Sequence, residues 1–360
     1  MSFRAIALVA APLTALMAAL LIALPASARA STVSLTVTNS CLSVECSKYG
    51  QDYPVPVTLV AARPGEANRV EVTAEGGELV VHDDGAVLEA ASPCRSVDDH
   101  TARCPLTRGL PGIPGLRIAL SDGDDAAAVA DTVEFETELR GATGDDVLVG
   151  GPGNDRIDGG LGDDRMLGGG GTDVLDYSGR SAAVAVSLAS GGGRPGERDR
   201  VEGGFESLLG GFGADRLSGS RGADVIRGGF GADRIRGGPG ADALSGDYGR
   251  DRVRGGPGPD RLVGEPEDEY EPPKEEADRL SGDRGDDVLT DLGGRNHFLG
   301  GPGRDDIEGG VGRDRIDAGP GDDRVSADDG RRDRVHCGAG VDRAGTDAID
   351  LRRGCERRWR

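Results

Sequence analysis

A nine-residue repeat dominates residues 141–326 and constrains the fold more than any other feature of the chain. Fifteen copies fall into three blocks, which span 141–176, 210–263 and 282–326. The fourth residue is Gly in all fifteen copies, and the sixth is Asp in fourteen, with Asn296 as the exception. The eighth is always Leu, Ile, Val, Met or Phe. A regular period of this length predicts a solenoid of stacked coils.

Each position of the repeat has a physical role in such a coil. Glycines at positions 1, 2 and 4 permit positive φ angles and close approach of neighbouring coils, as tight turns require. The last three residues predict a short strand in which position 8 points inward and positions 7 and 9 face solvent. Two copies, or eighteen residues, then make turn, strand, turn and strand, which is one coil of a flattened parallel solenoid. A coil of this kind buries little apolar surface alone, so it has to stack on its neighbours.

The pattern G-G-x-G-x-D-x-U-x, in copies such as GGFGADRIR and GGVGRDRID, resembles the repeat of the RTX, or hemolysin-type, calcium-binding family. The resemblance implies an all-β chain: a right-handed parallel β-roll (β-solenoid) preceded by a small β-rich N-terminal region. It also implies multiple Ca²⁺ ions, held between successive coils by position-6 Asp side chains and backbone carbonyls. Flexible coordination by oxygen alone suits calcium, whereas Mg²⁺ demands a rigid octahedron. A disordered Gly/Asp-rich linker is the alternative, but fifteen copies in register disfavour it.

The ligands implied by the resemblance share position 6 of the repeat, and Asp278 joins them because ADRLS restores the frame with Leu280 at position 8. They are Asp146, Asp155, Asp164, Asp173, Asp215, Asp224, Asp233, Asp242, Asp251, Asp260, Asp278, Asp287, Asp305, Asp314 and Asp323.

Two interruptions separate the blocks. Residues 177–209 leave the nine-residue frame, but the alternation at 184–188 and the apolar run at 205–209 each predict a strand, so we expect wider coils on the same stack. Residues 264–281 number eighteen, and we expect them to fill one whole coil, with the acidic stretch 264–277 as a solvent loop. Removing those eighteen residues should then leave the flanking sheets in register.

The ends of the chain predict its location. Residues 1–30 combine Arg4, an apolar run at 5–24 and the small-residue motif Ala28-Arg29-Ala30, which is typical of a secretory signal peptide. An uncleaved anchor is the alternative, since the run just reaches membrane-spanning length. Cleavage before Ser31 would leave a secreted or cell-surface protein with no membrane span.

Two further regions flank the roll. Residues 31–140 predict a β-rich lead-in that caps the coils, with strands at 33–37, 57–60, 70–72, 79–81 and 133–135. Residues 327–360 contain decayed copies of the repeat, which is typical of a terminal cap, and Trp359 is expected to cover the last coil.

Six cysteines are expected to form disulfides in an exported chain, and six allow fifteen connectivities. Short intervening loops favour pairing Cys41 with Cys46, Cys94 with Cys104, and Cys337 with Cys355. A zinc site is the alternative, but the chain has no C-x-x-C motif and only four histidines.

Charge and missing motifs narrow the function. With 63 acidic and 42 basic residues the net charge is -21, which argues against a general nucleic-acid binder. Neither H-E-x-x-H nor G-x-S-x-G occurs, so a non-enzymatic role is expected. An unfamiliar active site within 31–140 is the alternative, but no nucleophile can be paired there with a base.

A strip of arginines suggests a further partner. Copies that begin at 210, 228 and 246 lie eighteen residues apart, so their strands should stack on one face. The strip either balances the anionic turns or binds an anionic polymer of the cell surface or matrix, which would make the protein an adhesion module with structural calcium. Its members are Arg216, Arg234, Arg236, Arg252 and Arg254.

Overall fold

The computed structural model describes residues 31–38, 57–61, 67–90, 94–106, 115–265 and 276–358. Those residues form strands, turns and loops with no helix among them, which confirms the all-β prediction. None of the described segments is a helix with the length and apolar character needed to cross a membrane. The chain divides into two compact units, one ending at Gly171 and the other beginning at Thr172.

The described residues of the first unit include thirteen strands in two sheets. They are β1 (Ser31–Thr38), β2 (Val57–Ala61), β3 (Arg69–Glu75), β4 (Glu78–Asp83), β5 (Ala86–Ala90), β6 (Arg95–Ser96), β7 (Thr101–Pro105), β8 (Leu116–Ala119), β9 (Ala126–Val129), β10 (Thr137–Thr143), β11 (Val147–Val149), β12 (Arg156–Leu161) and β13 (Arg165–Leu167). One sheet has the order β5-β1-β2-β8-β10-β12, and the other has the order β6-β7-β4-β3-β9-β11-β13. Antiparallel pairs of the lead-in, such as β3 with β4, therefore adjoin the parallel ladders of the first coils.

The second unit contains the remaining strands. They are β14 (Val174–Asp176), β15 (Ala185–Ser187), β16 (Gly191–Gly193), β17 (Arg200–Val201), β18 (Ser207–Leu209), β19 (Arg216–Ser218), β20 (Val225–Arg227), β21 (Arg234–Arg236), β22 (Ala243–Ser245), β23 (Arg252–Pro257), β24 (Arg261–Val263), β25 (Arg279–Arg284), β26 (Val288–Thr290), β27 (Gly293–Gly294), β28 (His297–Leu299), β29 (Asp306–Glu308), β30 (Val311–Gly312), β31 (Arg315–Pro320), β32 (Arg324–Ala327), β33 (Arg334–Ala339), β34 (Arg343–Thr346), β35 (Leu351–Arg353) and β36 (Arg357–Arg358).

Two long sheets enclose the core of the second unit. The front sheet, as we call it, has the order β14-β18-β20-β22-β24-β26-β29-β32-β34-β36. The back sheet has the order β16-β15-β19-β21-β23-β25-β28-β31-β33-β35. Successive copies of the repeat contribute alternately to the two sheets, and strands from copies eighteen residues apart pair in parallel, as Leu217 does with Ile235. The predicted parallel β-solenoid is confirmed.

The inward residue of every copy is buried, as its position predicts. Position 8 is at most 2% exposed throughout, so a slip of one residue would turn this ladder to solvent. Burial of each such side chain stabilises the fold by about 1.5–3 kcal/mol. The ladder consists of Leu148, Ile157, Met166, Leu175, Leu217, Ile226, Ile235, Leu244, Val253, Leu262, Leu280, Leu289, Phe298, Ile307, Ile316 and Val325.

The first interruption behaves as predicted. Its strand β15 joins the back sheet beside β19, and β18 joins the front sheet between β14 and β20. Residues 177–209 therefore form a wider coil within the same two sheets.

The second interruption differs from the prediction. Among the described residues at the end of this segment, 276–281, the back-sheet strand β25 begins. Arg252 pairs with Arg279, and the position-6 residues of these coils lie 27 positions apart, against 18 for ordinary neighbouring coils. The expectation of a whole coil is wrong, because the flanking front-sheet strands β24 and β26 pair directly with each other. The segment takes the place of a half coil, although it is nine residues longer than one copy of the repeat.

Several strands and two disulfides of the regions that flank the repeats match the predictions. Strands are present at four of the five predicted lead-in positions, but residues 133–135 form a turn region before β10. Cys94 is bonded to Cys104, and Cys337 to Cys355, as predicted. The predicted pair of Cys41 and Cys46, and Trp359, lie outside the described residues.

Candidate metal centre

Carboxylates form a continuous hydrogen-bonded column beside the back sheet of the second unit. The backbone N–H of each position-6 residue donates to the Oδ1 atom of the position-6 residue in the next coil. From Asp215 to Asp233 the N···O distance is 2.6 Å, and from Asp233 to Asp251 it is 2.8 Å. The back column, as we call it, runs through Val184, Asp215, Asp233, Asp251, Asp278, Asn296, Asp314, Asp333 and Asp350.

A second column accompanies the front sheet. The N–H of Asp242 donates to Oδ1 of Asp260 at 2.9 Å, and the N–H of Asp260 donates to Oδ1 of Asp287 at 2.8 Å. The front column runs from Asp224 through Asp242, Asp260, Asp287, Asp305, Asp323 and Asp342 to Glu356.

The first unit carries the same arrangement. The backbone N–H of Asn68 donates to Oδ1 of Asp125. In the same way, the N–H of Asp125 donates to Oδ1 of Asp146, and the N–H of Asp146 donates to Oδ1 of Asp164. Beside the other sheet, the N–H of Thr137 donates to Oδ1 of Asp155 at 2.9 Å.

Every Asp predicted as a ligand is buried, with no more than 4% of its surface exposed. Burial disfavours the charged form, so it raises the pKa of Asp146 and of Asp251 to about 8. It also raises the pKa of Asp233 and of Asp305 to about 7. Carboxylates of neighbouring coils add to the rise through like-charge repulsion. The columns thus concentrate negative charge where it is costly without a counterion.

The second carboxylate oxygen of many column residues has no hydrogen-bond partner. The described residues with such a buried Oδ2 atom include Asp146, Asp233, Asp242, Asp251, Asp260, Asp287, Asp305 and Asp323. A buried, unpaired anionic oxygen is costly, so these atoms are suited to a ligand that supplies positive charge.

Backbone carbonyls approach the same turns closely. At Gly231, whose φ is +138°, a Cβ atom would collide with the carbonyl oxygen of Gly213 in the preceding coil. Gly249 meets the carbonyl of Gly231 in the same way. Only glycine fits at these two positions. A Cβ atom at Gly240 would collide with the carbonyl oxygen of Gly222 and lie 3.1 Å from Oδ1 of Asp242, so carbonyl and carboxylate oxygens meet at that turn.

This donor set fits Ca²⁺, which takes several oxygen ligands in flexible geometry. In the described ranges, no three His, Cys, Asp or Glu side chains are grouped as a metal site. An ion between coils would accordingly draw on both the column carboxylates and the turn carbonyls. His297 and His336 lie at strand positions 7 and 9 rather than at position 6.

Seven column or turn carboxylates were not among the predicted ligands, namely Asp125, Glu206, Asp291, Asp333, Asp342, Asp350 and Glu356. Asp333 and Asp342 extend the columns into the cap, and each precedes an R-V or R-A strand start that marks position 6. Asp125 lies in the first-unit series that runs from Asn68 to Asp164. Glu206, in the 177–209 coil, accepts the N–H of Asp173 at 3.0 Å. Asp291 occupies position 1 of its copy, where the repeat pattern gives no reason to expect a ligand.

Comparison with known families agrees with this geometry. A family model described as RTX calcium-binding nonapeptide repeat (4 copies) matches residues 140–175, 209–244, 245–268, 275–307 and 299–332. No curated protein sequence matches the chain.

Proposed function

Because residues 140–332 belong to the RTX calcium-binding nonapeptide repeat family, we propose that the protein is an exported, non-enzymatic calcium-binding β-roll. Its coils stack and fold when Ca²⁺ binds between them. The fifteen position-6 aspartates supply side-chain ligands, and the glycine turns supply carbonyl oxygens.

The buried carboxylate columns are the observation that supports this function. Asp233, Asp242 and Asp251 form no ion pair with any Lys or Arg in the part of the chain that is described. Whenever they are ionised, their stacking places like charges in successive coils, with nothing from the protein to neutralise them. Divalent cations between the coils would remove that repulsion and occupy the unpaired oxygens.

Calcium binding and folding are then one equilibrium, since the ligands meet only when coils stack. Extracellular calcium sites commonly bind at about 10⁻⁴ to 10⁻³ M. A calcium-poor cell interior and a calcium-rich exterior would therefore delay folding until export, in keeping with the signal-like residues 1–30.

Far-ultraviolet circular dichroism of the chain from Ser31 onward tests this function. We expect a disordered spectrum in chelator, a β spectrum in millimolar Ca²⁺, and little recovery in equal Mg²⁺. Asp251→Asn should raise the calcium concentration needed for folding, because it removes a buried column charge. Asp306→Asn is the matched control, since Asp306 is exposed at strand position 7. A spectrum that ignores calcium would refute the proposal.

A second candidate function rests on the arginine strip of the back sheet. The register places Arg216, Arg234 and Arg252 in one row, as the eighteen-residue spacing predicts, and the row continues to Arg279. Beyond His297 it resumes at Arg315 and Arg334. Strands in such a ladder lie about 4.8 Å apart, so an exposed guanidinium recurs at about that interval.

Most of these arginines have no carboxylate partner. Among the described residues, Arg216, Arg234, Arg252, Arg279 and Arg315 form no ion pair. In contrast, Arg254 in the neighbouring row donates to Asp283. An unneutralised row of like charges on an acidic protein supports binding of a linear polyanion, such as a uronic-acid polymer.

Binding of polygalacturonate to the calcium-loaded protein tests this second function. Changing Arg216, Arg234, Arg252 and Arg279 to Ser should weaken binding at least tenfold. Changing Arg261, Arg304, Arg324 and Arg343 to Ser removes the same charge elsewhere and should have a smaller effect. Equal losses in both variants, or binding unchanged by the strip variant, would eliminate this function.

A further inference from the structure

One copy of the repeat departs from the pattern at two positions at once. The copy DLGGRNHFL, residues 291–299, has Asp291 where thirteen of the fifteen copies have Gly, and Asn296 where all the others have Asp. Ala318 is the other departure at position 1. A copy that loses its ligand carboxylate therefore gains a carboxylate five residues earlier.

Asn296 maintains the hydrogen bonding of the back column but not its charge. Its Oδ1 atom accepts the N–H of Asp278 at 2.9 Å, and its own N–H donates to Asp314 at 2.7 Å. Its Nδ2 atom donates to the carbonyl of Gly293 at 2.8 Å. An amide nitrogen thus replaces the anionic Oδ2 atom that an Asp would present in this turn.

Asp291 brings an anionic oxygen to the same region. The residue is fully buried, and its Oδ1 atom accepts the N–H of Gly293 at 3.2 Å. Its Oδ2 atom has no hydrogen-bond partner. A Cβ atom at Gly264 would lie 2.8 Å from Oδ2 of Asp278 and would collide with Oδ2 of Asp291. The two carboxylates therefore converge on one point of the coil that precedes Asn296.

No cationic side chain neutralises this pair. In the described part of the chain, neither Asp278 nor Asp291 forms an ion pair with Lys or Arg. Two buried carboxylates from adjacent coils that approach each other within hydrogen-bonding range need a shared proton or a counterion between them, and an all-oxygen pair favours a hard divalent cation.

We propose that Asp291 and Asp278 form a variant Ca²⁺ site that compensates for the carboxylate missing at Asn296. The inference rests on the proposed calcium function and extends it, because Asp291 lies outside the position-6 set. Its consequence is that the row of ions along the back column continues through the Asn296 copy.

Native mass spectrometry of the calcium-saturated chain counts the bound ions. We expect Asp291→Gly, which restores the common glycine, to bind one Ca²⁺ fewer than the parent. Adding Asn296→Asp to that variant restores the usual ligand position and should restore the lost ion. Asp306→Asn, an exposed control nearby, should keep the parent count. Asp291→Asn retains the side-chain volume and should also lose one ion. This second variant tests the site even if the glycine variant does not fold.

The possible results separate the two proposals. A parent chain that binds no calcium refutes the proposed function itself. A parent that binds calcium, with Asp291→Gly and Asp291→Asn both keeping its full count, refutes only the Asp291 site. Loss of an ion that Asn296→Asp fails to restore refutes the compensation.

Discussion

At the scale of single residues, position 2 of the repeat shows how the sequence offsets backbone strain. The non-glycine residues with positive φ in the described ranges are Ala142, Asp247 and Asp283, and all three occupy this position. Asp247 is paired with Arg227, and Asp283 with Arg254, each an arginine at position 9 of an earlier copy. Ala142 has no polar side chain with which to offset its strain.

Ala142→Gly should therefore stabilise the calcium-loaded protein by up to about 1 kcal/mol. A left-handed conformation costs an L-residue about 1–2 kcal/mol, but glycine loses more conformational entropy on folding, which offsets part of the gain. Thermal unfolding in saturating calcium measures the effect. Asp247→Gly is the matched comparison, and its gain should be smaller because the Arg227 pair is lost. A lower melting temperature for Ala142→Gly would contradict this account.

The same scale shows why some site residues were predictable. A fixed spacing from the glycines and the inward apolar residue identified Asp233 or Asp305 without any knowledge of contacts. Asp291 was not predictable, because its role depends on a contact with Asp278 across coils rather than on its place in the repeat. Glu206 was missed for a similar reason, since the 177–209 coil has no repeat frame in which to place it.

At the scale of elements, the length of a segment did not reveal how many strands it supplies. Eighteen residues equal two copies, so the stretch 264–281 was compatible with a whole coil or with a half coil carrying nine extra residues. The register decides for the half coil, because β25 pairs with β23 and β24 pairs directly with β26. Residues 133–135 show the related difficulty that local alternation does not guarantee a pairing partner.

Deleting residues 266–274 together with Glu276→Gly leaves GEEGADRLS, an ordinary nine-residue copy with Asp278 at position 6. We expect this variant to keep the parent calcium count and to melt within a few degrees of the parent, since a shorter loop costs less closure entropy. Removing all of 264–281 takes away β25 and Asp278, so it should lose bound calcium and transfer later strands to the opposite sheet.

Calcium counts and melting curves of the two deletion variants, measured side by side, check this expectation. A nine-residue deletion that unfolds the roll, or an eighteen-residue deletion that keeps every ion, would contradict the half-coil register.

At the scale of the whole molecule, the net charge of -21 and the carboxylate columns are two aspects of one property. Much of the acidity is buried in register rather than spread over the surface, so protons and calcium compete for the same oxygens. Burial raises the pKa of Asp314 to about 7 and that of Asp242, Asp260 and Asp323 to about 6, so many coils share this competition.

The sign of the resulting pH dependence follows from proton linkage. An unfolded Asp titrates near 3.9, whereas burial raises the pKa of Asp260 to about 6 and that of Asp251 to about 8, so the folded chain binds more protons over that range. Without calcium, the stabilising contribution is complete below about pH 4 and is lost as pH rises through 6 to 8. The calcium-loaded chain should behave in the opposite way, because acid displaces the ions.

Circular dichroism between about pH 8 and pH 5 should therefore show the chelator-treated chain gaining β structure as pH falls. Calorimetry at about pH 5, where the folded columns carry protons before calcium is added, should detect protons released when calcium binds. Global charge repulsion would give a similar acid effect, but about 1 M salt screens exposed charges beyond a few ångströms and leaves burial unchanged. The transition should persist at high salt if burial causes it. If high salt abolishes the acid-induced structure, or calcium binds at about pH 5 without releasing protons, the columns do not control folding in the way their burial predicts.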